Sequence, residues 1–174
     1  MLENQNIFLV GPMGAGKTTI GRHLAAALEL QFYDVDHEVE TRTGANISWI
    51  FDVEGEAGFR QRELVAIDEL TQKDHIVLAT GGGAILHETN RLHLQSRGQV
   101  VYLRASVEQQ LERTRRDTHR PLLNKGNPRQ ILEEMMLKRE PLYAAIAHVT
   151  INTDRHSPKW VVKEIIKSLN LQNV

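Results

Sequence analysis

The sequence predicts an α/β protein, with a parallel sheet covered by helices on both faces. Three observations predict it. Short apolar runs alternate with segments of helical spacing along the chain. The first run, NIFLV (Asn6 to Val10), leads straight into GPMGAGKT (Gly11 to Thr18), which fits the phosphate-loop pattern G-x-x-x-x-G-K-[ST] and opens a helix. A later run, IVLAT, is apolar as a buried strand should be and then breaks into Gly81, Gly82 and Gly83.

Asn6 to Val10 reads as the first strand. From Lys17, KTTIGRHLAAALEL sets Ile20, Leu24, Ala27 and Leu28 on one helical face. QFYDV is a short second strand. A polar, helix-rich stretch from about Asp36 to Thr71 follows, with Gly44 as a helix stop. IVLAT is the third strand, Asn90 to Arg97 a helix, and VVYL (Val100 to Leu103) the fourth strand. Ser106 with Gln109 forms a capping box for the next helix. A long helix covers Pro128 to Ala147, HVTIN is the last strand, and Ser157-Pro158 starts a C-terminal helix. Two segments interrupt the strand–helix rhythm: the helical stretch after the second strand, and RRDTHRPLLNKGNPR (Arg115 to Arg129). One domain with two appendages is expected over residues 1–174.

Composition excludes several function classes. A length of 174 residues suits one domain with a real core. The net charge of -1 gives no global pull toward nucleic acid or an anionic membrane. With no cysteine, thiolate catalysis and cysteine-ligated zinc are ruled out. MLENQNIFLVG is not a basic leader before a long apolar run, and no stretch approaches the ~20 apolar residues of a bilayer span. A cytoplasmic monomer that binds neither nucleic acid nor membrane is expected.

The phosphate loop carries the strongest chemical signal. Gly14, Ala15, Gly16, Lys17, Thr18 and Thr19 form the expected ATP-binding stretch. The glycines let successive N–H groups turn toward phosphate oxygens, and the helix start adds its positive dipole end. Lys17 brings a mobile charge to the β- and γ-phosphates, and the Thr18 hydroxyl is a magnesium ligand. A GTP-binding switch is the reading from another class, since DVEG (Asp52 to Gly55) matches the D-x-x-G pattern. That motif should end a buried strand, however, and NISWIF before it has helical spacing. The nearest guanine reader, NKGN (Asn124 to Asn127), lacks its acid.

Asp34 and Asp36 follow the second strand at the sheet edge where α/β proteins bind ligands. Alternation along extended chain would turn both toward the phosphate loop, one to hold magnesium through water and one to accept a proton. Helix capping is the competing role. Gly81, Gly82 and Gly83 lie at the same edge and read as a floor on which a substrate approaches the backbone.

Arg60 and Arg62, in GFRQRE, and Arg139, in KREPLY, could fork onto an acceptor's carboxylate. From the residues alone, surface ion pairs with Glu56, Glu63 or Glu140 are the favoured reading for each. ERTRRDTHRP carries Arg113, Arg115, Arg116 and Arg120 without interleaved aromatics, and reads as a flap that lowers an arginine onto the triphosphate. The eight histidines show no metal-ligand spacing, and Trp49 and Trp160 read as packing residues.

GPMGAGKTTIGR, FYDVDHEVETRTG, IFDVEGEAGFRQRE, VLATGGGA, RPLL and KREPLY together resemble the shikimate kinase family essentially end to end. The resemblance implies a P-loop, three-layer α/β/α fold of the nucleoside-monophosphate-kinase type. It would have a five-stranded parallel sheet, a helical substrate-binding insertion (about 36–64) and a lid (about 113–128). It implies transfer of the ATP γ-phosphate to the 3-hydroxyl of shikimate, with Mg2+, on the route to chorismate. Carried over by position, Asp36 would hold the shikimate hydroxyls and favour deprotonation of the attacked one, and Asp34 would serve magnesium through water. Arg60 and Arg139 would clamp the carboxylate, with the backbone at Gly82, between Gly81 and Gly83, completing the site. Arg120, with Arg113 on the same segment, would reach the nucleotide, and Arg155 or His156 would lie beside adenine. The nearest enzyme alternative is a gluconate-type kinase, which shares the phosphate loop and an aspartate after the second strand.

Overall fold

The computed structural model describes residues 6–115, 123 and 126–171. Five strands, β1 (Ile7–Val10), β2 (Gln31–Asp34), β3 (Ile76–Ala79), β4 (Gln99–Arg104) and β5 (Val149–Asn152), form one sheet in the order β2-β3-β1-β4-β5. Every pairing is parallel, with Leu9 of β1 set between Ala79 and Val101. β1 is therefore central, with β3 on one side and β4 on the other. The crevice beyond its C-terminal end is where such a sheet binds ligands.

Alternation along the strands divides the core into two layers. Phe8, Val10, Leu78, Val100 and Tyr102 face one side and pack on α3 (Ile47–Leu70), α4 (Glu88–Arg97) and α6 (Pro128–Ile146). Ile7, Leu9, Val77, Val101 and Leu103 face the other and pack on α1 (Lys17–Leu28) and α7 (Pro158–Ser168). In α1 the buried stripe is Ile20, Leu24, Ala25 and Leu28, so Ala25 takes the place expected of Ala27, which is exposed. The result is the expected three-layer α/β/α arrangement. No helix among the described residues is long and apolar enough to cross a membrane.

Between β2 and β3 the chain folds into α2 (Val35–Thr43) and α3, with Gly44 closing α2 in the left-handed conformation. DVEG lies inside α3, not at a strand end, and Gly55 (φ 74°, ψ 177°) interrupts the helix there. This removes the context a GTPase motif needs. A shorter helix, α5 (Val107–Thr114), follows β4.

Two caps behave differently from each other. Ser157 accepts a bond from the Trp160 amide at 3.2 Å, as the sequence predicts. Ser106 caps Gln109 at 3.1 Å, but the return half of the box is missing. The Ser106 amide donates instead to Asp154 at 3.1 Å, and the Gln109 side chain accepts from the Arg155 amide at 3.4 Å. A partner beyond β5 has replaced the local one, which ties α5 to the end of the sheet. The tryptophans also depart from expectation: Trp49 and Trp160 are exposed, and Trp160 stacks on His156 with ring centroids 3.6 Å apart.

Candidate active site

A cavity of about 750 Å³ opens beyond the C-terminal ends of β1, β2 and β3. Its walls include Gly14, Gly16, Lys17, Thr18 and Thr19 from the phosphate loop, Asp34 and Asp36 from the start of α2, Gly81 and Gly82 after β3, and Arg113 of α5. Ala15 is buried beneath the loop.

The loop conformation follows from its glycines. Gly14 (φ 79°) and Gly16 (φ 88°) occupy left-handed backbone that side chains resist, and Gly16 is the N-cap of α1. Lys17 is buried, and its ammonium donates to the carbonyl oxygens of Gly11 (2.6 Å) and Pro12 (2.8 Å). Arg113 braces the loop from α5, donating to the Gly14 carbonyl at 2.7 Å and to the Thr153 carbonyl at 3.2 Å. Burial lowers the Arg113 pKa, with Asp154 opposing it.

Asp34 takes the capping role and also meets the phosphate loop. One carboxylate oxygen caps α2 by accepting from the His37 amide at 3.1 Å, and the other accepts from the Thr18 hydroxyl at 2.6 Å. Because α2 begins at Val35, Asp36 lies in the first helical turn. Extended-chain alternation therefore does not apply.

The glycines after β3 face the protein's own charged side chains. None of the three has positive φ. A Cβ at Gly83 would stand 2.3 Å from an Arg60 guanidinium nitrogen, and one at Gly81 would stand 2.9 Å from Glu63 and 3.1 Å from Asp36. At Gly82 the nearest atoms are the Met13 amide at 3.4 Å and an Arg139 nitrogen at 3.5 Å. The missing side chains at Gly81 and Gly83 make room for Glu63, Asp36 and Arg60, whereas a Cβ at Gly82 would meet only ordinary contacts.

Arg60 of α3 and Arg139 of α6 lie next to Gly83 and Gly82 on the loop after β3, and Arg60, Arg139 and Gly83 are not themselves among the cavity's wall residues. Arg60 pairs with Glu63 at 2.9 Å and Glu56 at 3.3 Å. Burial alone would lower its pKa, but Glu63 and Glu56 raise it overall. Arg62 does not join them; it pairs with Glu54 on the outside of α3 at 2.6 Å. Glu63 is no surface partner, being 1% exposed, with one oxygen buried without a hydrogen bond. Burial pushes its carboxyl up to about 7; Arg60 opposes this and Asp36 reinforces it. The sequence did carry a signal for this. Phe59, Glu63, Ala66, Ile67 and Leu70 share the buried stripe of α3, so Glu63 occupies a core position. Likewise Leu132, Arg139, Tyr143 and Ile146 share the buried stripe of α6.

Other expected positions fall elsewhere. Arg155 and His156 are exposed and outside the cavity walls, although Thr153 next to them is held by Arg113. Arg120, and with it most of the lid segment, lies outside the described residues.

The family model for shikimate kinase matches residues 13–170. The chain belongs to the shikimate kinase family. A shikimate kinase of Chromohalobacter salexigens is 61% identical over 92% of this chain and 89% of its own length. One from Vibrio parahaemolyticus is 56% identical over 97% of this chain and 98% of its own. Among solved structures, shikimate kinase from Acinetobacter baumannii in complex with shikimate superposes with a TM-score of 0.94 at 53% identity, covering 96% of this chain and 93% of that one. Members of the shikimate kinase family are ATP-dependent kinases that phosphorylate shikimate.

Proposed function

We propose that the cavity transfers the γ-phosphate of ATP to the 3-hydroxyl of shikimate, giving 3-phosphoshikimate and ADP. Phosphorylation of shikimate by ATP, on the route to chorismate and the aromatic amino acids, is the activity of the family to which the chain belongs. One juxtaposition supports the assignment of residues: Arg60 and Arg139 abut Gly83 and Gly82 on the loop after β3, and Gly81 and Gly82 of that loop share the wall of one polar cavity with the phosphate loop and Asp36.

Gly14, Ala15, Gly16, Lys17, Thr18 and Thr19 bind the triphosphate. Lys17 leaves the Gly11 and Pro12 carbonyls to meet the β- and γ-oxygens. Arg60 and Arg139 hold the shikimate carboxylate, with Gly81, Gly82 and Gly83 keeping the floor low. Asp36 accepts the proton of the attacking hydroxyl as its oxygen bonds to phosphorus and the bond to the ADP oxygen breaks. Arg120 neutralises charge on the transferring group, and Arg113, Arg155 and His156 lie toward the adenosine end.

The site's chemistry fits magnesium. Thr18 and Asp34 offer adjacent hard oxygens at the cavity wall, suited to an ion that keeps several waters and shares its shell with phosphates. Bound with ATP, it would neutralise β- and γ-phosphate charge. The protein is a monomer of the cytoplasm in this reading, with insertion 36–64 as the acceptor side and 113–128 as the lid of one domain.

The test is ADP release with MgATP and, in turn, shikimate, gluconate or a nucleoside monophosphate. Turnover with shikimate alone is expected; turnover with gluconate instead would overturn the acceptor assignment.

A further inference from the structure

We infer that Tyr143 is a positioning residue that sets the acceptor clamp by fixing Arg139 and the Gly82 backbone to one another. The inference rests on the carboxylate-clamp reading above. Tyr143 lies one helical turn after Arg139 on α6, so both side chains leave the same face. Its hydroxyl donates to the Gly82 carbonyl oxygen, across 61 residues of sequence. Burial pushes the phenol up to about 12, and the charge and hydrogen bonding of Arg139 pull against that rise. Arg139 is also the side chain nearest Gly82, at 3.5 Å from where a Cβ would stand. The hydroxyl thus ties the helix that carries Arg139 to the loop that Arg139 faces.

The ring has little freedom to drift. It is fully buried and stacks on Tyr102, with centroids 5.0 Å apart and planes at 22°. The Tyr102 hydroxyl is in turn bonded to Glu140, the residue after Arg139. Pro141, between the two functional positions, lacks the amide that would bond the Leu137 carbonyl. Helix bonding alone therefore constrains this turn less than its neighbours, and the side-chain contacts supply the constraint. A guanidinium fork recognises a carboxylate only within a narrow angle, so a small rotation of Arg139 relative to Gly82 costs affinity for the acceptor and leaves the nucleotide side alone.

The test is shikimate affinity, by titration calorimetry, in a double-mutant cycle of Tyr143→Phe with Arg139→Ala, beside steady-state kinetics of Tyr143→Phe. Phe keeps the ring and its stacking. The expected result is a roughly tenfold weaker shikimate Kd and higher shikimate KM in Tyr143→Phe, with the ATP KM within about twofold of wild type. In the Arg139→Ala background the same change should alter the Kd by less than about twofold. Equal losses in both backgrounds, an unchanged shikimate KM, or a Tyr143→Phe protein that no longer unfolds cooperatively would each overturn the inference, the last two by denying a role or making it one of stability. Failure of wild type itself to bind shikimate would instead overturn the acceptor reading beneath it.

Discussion

Arg60 fills the space that a side chain at Gly83 would need: its guanidinium nitrogen lies 2.3 Å from the position of a Cβ there, while it holds Glu63 at 2.9 Å. The glycine and the arginine are 23 positions apart, on the loop after β3 and on α3. Their fit holds the guanidinium against the loop after β3.

Gly83→Ala should therefore damage acceptor binding more than folding, because the displaced atoms are the end of a flexible side chain. A rise of roughly tenfold or more in the shikimate KM is expected, since displacements of about 1 Å in a positioned group have effects of that order. The ATP KM should stay within about twofold. Steady-state kinetics with each substrate varied checks both.

Glu63 gives a prediction in pH. Its folded-state carboxyl titrates at about 7 against an ordinary value of 4.5, so the folded protein holds this proton more tightly than the unfolded chain. This contribution to stability is fully present below the unfolded value and is lost as pH rises through the folded one. Glu63→Gln removes the titration and leaves an acceptor for Arg60. The slope of Tm against pH between about 5 and 7 should become more positive than in wild type; a wild-type slope in the variant would show that Glu63 does not carry the effect.

Asp34→Asn separates the two tasks of that side chain. Asparagine caps helices as well as aspartate does, so stability should change by under about 1 kcal/mol. The magnesium concentration for half-maximal activity at fixed ATP should rise severalfold, because the anionic partner of Thr18 is gone. A large drop in Tm with unchanged magnesium dependence would assign Asp34 to capping alone.

Arg120→Ala should lower kcat by roughly 10³, as for other arginines at a transferring phosphoryl group. A loss under about tenfold, measured at saturating ATP and shikimate, would remove Arg120 from the transition state.

How much of this was legible in sequence depended on how local each cause was. The phosphate loop could be read completely because Gly14, Gly16, Lys17 and Thr18 are contiguous and flanked by a strand and a helix. The five strands and the sheet class were legible for the same reason. The capping box at Ser106 failed because Asp154, 48 positions away, took its amide. The crowding at Gly81 and Gly83 was not legible because the atoms that cause it come from α2 and α3. Glu63 was misread as a surface partner because residue type outweighed its place on an apolar stripe, and Trp49 and Trp160 were misread as packing residues by the same habit.

The account stands most directly on Arg60 as a carboxylate clamp. Arg60→Ala, assayed with both substrates varied, should raise the shikimate KM by about thirtyfold or more, the cost of stripping one partner from a buried charge pair, and leave the ATP KM within about twofold. A change confined to the ATP KM would contradict the assignment of the floor to the acceptor.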